Sequence, residues 1–102
     1  MAEQTTVKPR TKTKPKTARP PLWKVILLND DYTPREFVVM VLKAVFRMNE
    51  EAAYNVMITA HRRGACVIAV YAKDVADTKA KEATELGKQH GYPLYFTTEP
   101  EE

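Results

Sequence analysis

Serine is missing from all 102 residues of this chain, cysteine occurs once and glycine three times. The first absence removes every serine nucleophile. A single cysteine, Cys66, excludes an internal disulfide and any multi-cysteine zinc site. His61 and His90 are the only histidines and lie far apart in sequence, so the supply of soft ligands is too thin for a metal enzyme. Three glycines leave little from which to build a phosphate-binding loop. No apolar run approaches the roughly 20 residues that cross a bilayer. The basic N-terminus lacks the apolar stretch and small-residue cleavage site of a secretory signal. Together with the unpaired cysteine, these absences point to a reducing cytoplasm, with no cofactor and no membrane contact.

Aromatic side chains are absent from residues 1–21, which hold four of the seven prolines and six basic residues (Lys8, Arg10, Lys12, Lys14, Lys16, Arg19) against Glu3 alone. Such a segment buries too little apolar area to offset an ordering cost of about 1–2 kcal/mol per residue. It is expected to be a disordered basic extension. Residues 22–102 carry ten basic and twelve acidic side chains, a net charge of −2, so the overall +3 belongs to the tail. The folded domain is expected over 22–98, with a short acidic tail at 99–102.

What is present reads as one α+β domain. Trp23–Asn29 is short, rich in β-branched residues and bounded by Pro21 and by Asn29-Asp30-Asp31, the pattern of a buried strand. Thr33-Pro34-Arg35-Glu36 predicts a helix start, with Thr33 as cap, Pro34 in the first position and Glu36 completing a capping box. Phe37, Val38, Val41, Leu42, Val45 and Phe46 share one face of that helix. Asn49 predicts the cap of a second helix and Gly64 its stop, with Ala53, Tyr54, Val56, Met57, Ile58 and Ala60 on the apolar side. His61 falls within that stripe. A strand over Ala65–Tyr71, a helix from Lys73 to about His90 with small residues (Ala76, Ala80, Ala83) inward, and a strand over Leu94–Thr97 complete a β-α-α-β-α-β order. The expected architecture is a three-stranded antiparallel sheet packed with three helices.

Catalytic constellations are lacking. Asp30 and Asp31 are adjacent and point in different directions, whereas a carboxylate pair acting on a substrate must face across a cleft. Cys66 lies within a strand, where burial makes a thiol inert. Asn29-Asp30-Asp31-Tyr32-Thr33-Pro34 is explained as a turn, because Asn and Asp bond their own backbone. His61 is explained as a core histidine. Taken together they have a second explanation. An amide oxygen, a carboxylate and an imidazole are the groups that receive the three N–H bonds of an ammonium. Val38, Met57 and Ala60 on facing helices would supply an apolar wall beside them. An ammonium next to a hydrophobe is the chemistry of a free hydrophobic N-terminal residue.

The run from Lys24 to Pro34, Lys-Val-Ile-Leu-Leu-Asn-Asp-Asp-Tyr-Thr-Pro, closely resembles the signature of the ClpS adaptors of the ATP-dependent Clp protease. Glu36-Phe-Val38, His61-x-x-Gly64, Asp74-Val-Ala-x-Thr-Lys79 and Pro93-Leu94 match the family in order, so that the resemblance covers about residues 22–98. It implies a non-catalytic adaptor that binds N-degrons beginning with Phe, Tyr, Trp or Leu and delivers them to the ClpA unfoldase. Asn29, Asp30 and His61 would then contact the substrate α-amino group. Val38, Met57, Ala60 and Leu94 would line the side-chain pocket, with Asp31, Thr33 and Pro34 on its rim. Asp74 and Lys79 match positions that dock on the N-terminal domain of ClpA. Arg35 stands where many members carry methionine, its stem able to cover the opening. Ala60 stands where valine is common and would enlarge the pocket. The chain is expected to act as a monomer without nucleic acid.

The same element order resembles the C-terminal domain of the ribosomal stalk proteins, and the basic tail suits phosphate contacts. A small ribosome- or RNA-associated domain is therefore the alternative, although the body is acidic and lacks an aromatic strand motif for stacking bases. A module for internal peptide motifs is a third reading, separated from the first by blocking the peptide amine.

Overall fold

The β-branched run after Pro21 forms the middle strand of the sheet. The structure, a computed structural model, describes residues 20–102; the expected basic extension lies outside them, apart from Pro20 and Pro21. Strand β1 (Leu22–Leu28) pairs antiparallel with β2 (Ala65–Ala72) on one side and β3 (Tyr95–Pro100) on the other. Helices α1 (Arg35–Phe46) and α2 (Glu50–Arg63) follow β1, and α3 (Lys73–Gln89) joins β2 to β3. The fold is the α+β arrangement that the residue pattern predicts.

Alternation along β1 puts Val25 and Leu27 into the core at 0% and 2% exposure, against Val41 and Leu42 of α1 and Phe96 of β3. The Phe46 and Phe96 rings approach to 5.5 Å between centroids. On β2, Val25 faces Ala69 while Ile26 faces Val67, so Ile68 is the extra residue of a bulge. The inner face of α3 is built from Ala76, Ala80, Ala83 and Gly87, all buried, which lets the helix lie close on the sheet.

Three local expectations are corrected. Helix α1 begins at Arg35 with Pro34 as its cap, and no side chain caps it. The Thr33 hydroxyl is turned away to Asp30, and the Pro34 carbonyl receives the Phe37 and Val38 amides at 3.0 and 3.1 Å. Tyr54 is half exposed rather than part of the α2 core stripe, whereas Val39 of α1 is buried, because α1 is covered by α2 as well as by α3. Strand β3 extends through Glu99 and Pro100, which pair with Lys24 and Trp23, so the sheet takes in half of the expected acidic tail. Asn49 and Gly64 behave as predicted. The Asn49 side chain accepts the Ala52 amide at 2.8 Å, and Gly64 ends α2 at φ 90°.

Candidate functional site

The first loop and the end of α2 are brought together by the sheet. Leu28 faces Ala65 across the β1–β2 ladder, and one residue further on the Asn29 amide donates to the Gly64 carbonyl at 3.0 Å. Gly64 is three residues past His61, so the same register that aligns the strands sets Asn29 and Asp30 beside the last turn of α2.

Asp30 builds the loop. Its Oδ1 accepts the Tyr32 and Thr33 amides at 2.8 and 2.7 Å, and its Oδ2 accepts the Thr33 hydroxyl at 2.9 Å. A carboxylate offers roughly four lone-pair sites. Three are occupied within the loop, which leaves the charge and about one site for anything else. Among the described residues the Asn29 side chain and the His61 ring make no hydrogen bond, and His61 is exposed rather than sealed in the apolar stripe.

A cavity of about 360 Å³ opens between this loop and the two helices. Its lining includes every residue that the sequence assigns to the amine contact and the pocket: Asn29, Asp30, Asp31, Thr33, Pro34, Arg35 and His61, exposed or half-buried at the mouth, and Val38, Met57, Ala60 and Leu94, buried below. The last four are at most 8% exposed, so the floor is packed in place before anything binds. Its volume lies near the lower end of the roughly 300–1,000 Å³ typical of small-ligand sites. Leu27, Leu28 and Tyr32 also line it, and the sequence reading omits them. Leu27 and Leu28 carry a usable signal, since they end the strand that feeds the polar loop. Tyr32, 81% exposed, carries none beyond its place in the motif.

Asp74 and Lys79 lie apart from this cavity on α3. Asp74 is exposed and accepts the Val75 amide at 3.0 Å. Lys79 is half-buried, its ammonium donating to the Val45 carbonyl at 2.9 Å near the C-terminal end of α1, where a cation suits the helix dipole. Burial pushes the Cys66 thiol above its ordinary pKa, with the Arg63 charge opposing, which disfavours the reactive thiolate. Among the described residues no group of three or more His, Cys, Asp or Glu could hold a metal, and no helix is long and apolar enough to cross a membrane.

A family model described as "ATP-dependent Clp protease adaptor protein ClpS" matches residues 18–97. The "ATP-dependent Clp protease adapter protein ClpS 2" of Rhizobium meliloti is 72% identical over 90 residues, 88% of this chain and 89% of its own length. Its namesake in Mesorhizobium japonicum is 68% identical over 97 residues, 95% of this chain and 96% of that one. Among solved structures, "Agrobacterium tumefaciens ClpS2 bound to L-phenylalaninamide" superposes with a TM-score of 0.81 at 67% identity, covering 81% of this chain and all of the other. These relatives are adaptors and not enzymes. By the family match across most of its length and by identities far above what shared descent requires, the chain belongs to the ClpS family of Clp protease adaptor proteins.

Proposed function

We propose that the chain holds the free N-terminal residue of a substrate (Phe, Tyr, Trp or Leu) in this cavity and passes the substrate to a ClpA-type unfoldase. The observation that carries the reading is a single cavity with an apolar floor and, at its mouth, an amide, a carboxylate and an imidazole. The ligand named with the Agrobacterium structure, L-phenylalaninamide, has the same pairing of a free α-amine and an apolar side chain. Val38, Met57, Ala60 and Leu94 take the side chain, whose burial is worth about 1.5–3 kcal/mol. The Asn29 amide oxygen, the remaining Asp30 lone pair and a neutral His61 nitrogen receive the three ammonium N–H bonds. Arg35 lays its stem over the opening.

Handover falls to α3, where Asp74 offers a free charge to the unfoldase. Lys79 presents mainly its stem, since its ammonium is held by Val45. The adaptor acts as a cytoplasmic monomer, without nucleic acid.

Acetylating the peptide amine removes its charge and two of three donors, and each unmet buried partner costs about 1–3 kcal/mol. Fluorescence anisotropy with peptides that differ only in the first residue, each free and acetylated, tests the reading. A Phe-initiated peptide should bind at least about 30-fold more tightly free than acetylated. Equal binding of both forms would replace it with recognition of an internal motif.

A further inference from the structure

Leu94 forms one wall of the cavity, and what stands behind it is Gly87 of α3. A Cβ at residue 87 would lie 3.0 Å from the Leu94 Cβ and 3.6 and 3.7 Å from its Cδ2 and Cγ. The first of these is well inside the roughly 3.5–4.0 Å at which carbon atoms pack favourably. The close atom is a Cβ, tied to the backbone, so rotating the side chain does not relieve it.

The chain around Leu94 is fastened to the same place. The Gly87 carbonyl accepts the His90 and Tyr92 amides at 3.0 and 2.9 Å. The Phe37 ring of α1 sits 5.0 Å from the His90 ring and 4.8 Å from the Tyr92 ring. Leu94 itself is only 2% exposed. A packed interior yields where there is empty space, and for Leu94 that space is the cavity.

We infer that Gly87, which does not line the cavity, sets its width by letting Leu94 stand back, and so governs how large a first side chain the adaptor accepts. The inference rests on the reading of this cavity as the side-chain pocket. Gly87 is a positioning residue, acting through Leu94. Its φ is not left-handed, so backbone strain does not require glycine here, and alanine is the better helix former. What the site lacks is room for a methyl group.

The test compares otherwise identical peptides beginning with Trp, Phe and Leu, with binding read by anisotropy and folding by thermal denaturation. Gly87→Ala should weaken the Trp-initiated peptide about tenfold and the Phe-initiated one about threefold, with Leu changed less than about twofold. Adding Leu94→Val withdraws part of the wall and should bring the Trp-to-Leu ratio back to within about threefold of the unsubstituted protein. Equal weakening of all three peptides, or no change in any, overturns the inference. Should Gly87→Ala fail to fold, Leu94→Val alone must raise the Trp-to-Leu ratio, and a constant ratio overturns it. Failure of the unsubstituted protein to bind any of these peptides would instead overturn the pocket reading.

Discussion

His61 stands in the last turn of α2 and His90 at the end of α3, each shortly before a glycine with positive φ, Gly64 at 90° and Gly91 at 79°. Both rings are exposed. Their surroundings differ. The Nδ1 of His90 lies 3.0 Å from the Leu86 carbonyl, and its ring packs on Phe37. The His61 ring has no hydrogen-bond partner among the described residues and faces a cavity with an apolar floor. Exposure therefore does not separate a structural histidine from one held ready for a ligand. The partner supplied by the chain does, because a polar group already paired gains little from a second partner, whereas an unpaired one gains a full bond.

The largest expected effect lies at the mouth that His61 shares with Asp30. Asp30→Ala removes a charge next to the ligand and the three bonds that shape the Asn29–Pro34 loop, and should lower affinity for a Phe-initiated peptide by at least about tenfold. Asp30→Asn separates the two losses. An amide oxygen still accepts the Tyr32 and Thr33 amides, so the loop is kept while the charge is lost. Its affinity should fall between the other two in an anisotropy titration. An unchanged affinity for Asp30→Ala would remove this residue from the site.

Next come the histidines, as a crossed pair. His61→Ala should reduce affinity about fivefold or more with little change in Tm, the loss of one bond to a charged donor. His90→Ala should lower stability by about 1 kcal/mol or less and leave affinity unchanged.

How far the sequence could be read followed from whether a feature depended on local pattern or on packing. The element order and the Asn49 and Gly64 caps rest on spacing and backbone preference within a few residues, and they matched. The polar loop, His61 and the facing Val38, Met57 and Ala60 were legible because those parts are few in kind, whereas Leu94 and the rim residues Asp31, Thr33 and Pro34 followed only from the family resemblance. Thr33 misled because its hydroxyl had two local uses, capping α1 or bonding Asp30, and pattern alone does not rank them. Tyr54 misled because a helical wheel counts it with the core, while only the position of α1 shows that it lies on the flank. Leu27 and Leu28 were read only as core strand, although their place at the end of the strand that feeds the polar loop marked them as cavity wall. Gly87 was invisible, its role being defined by Leu94 seven residues away.

The smallest effect is expected at Asp77, which contrasts with Asp30 as His90 does with His61. Its Oδ2 accepts from Lys73 Nζ at 2.9 Å and its Oδ1 from the Thr98 hydroxyl at 3.0 Å, outside the cavity. The bond from Lys73, then that from Thr98, hold its pKa below the ordinary carboxylate value. A depressed folded-state pKa means that the folded state favours the ionised form. The stabilisation is thus complete above the pKa of the unfolded chain and is lost as pH falls through the lower, folded value. The pair is exposed, so the gain is small. Asp77→Asn should lower Tm by on the order of a few degrees at neutral pH, with binding of a Phe-initiated peptide unchanged. The two proteins should converge as the pH falls through the depressed folded-state pKa of Asp77, where its side chain loses its charge. A Tm difference that stays constant from neutral to acid conditions would show that the charge does not account for it.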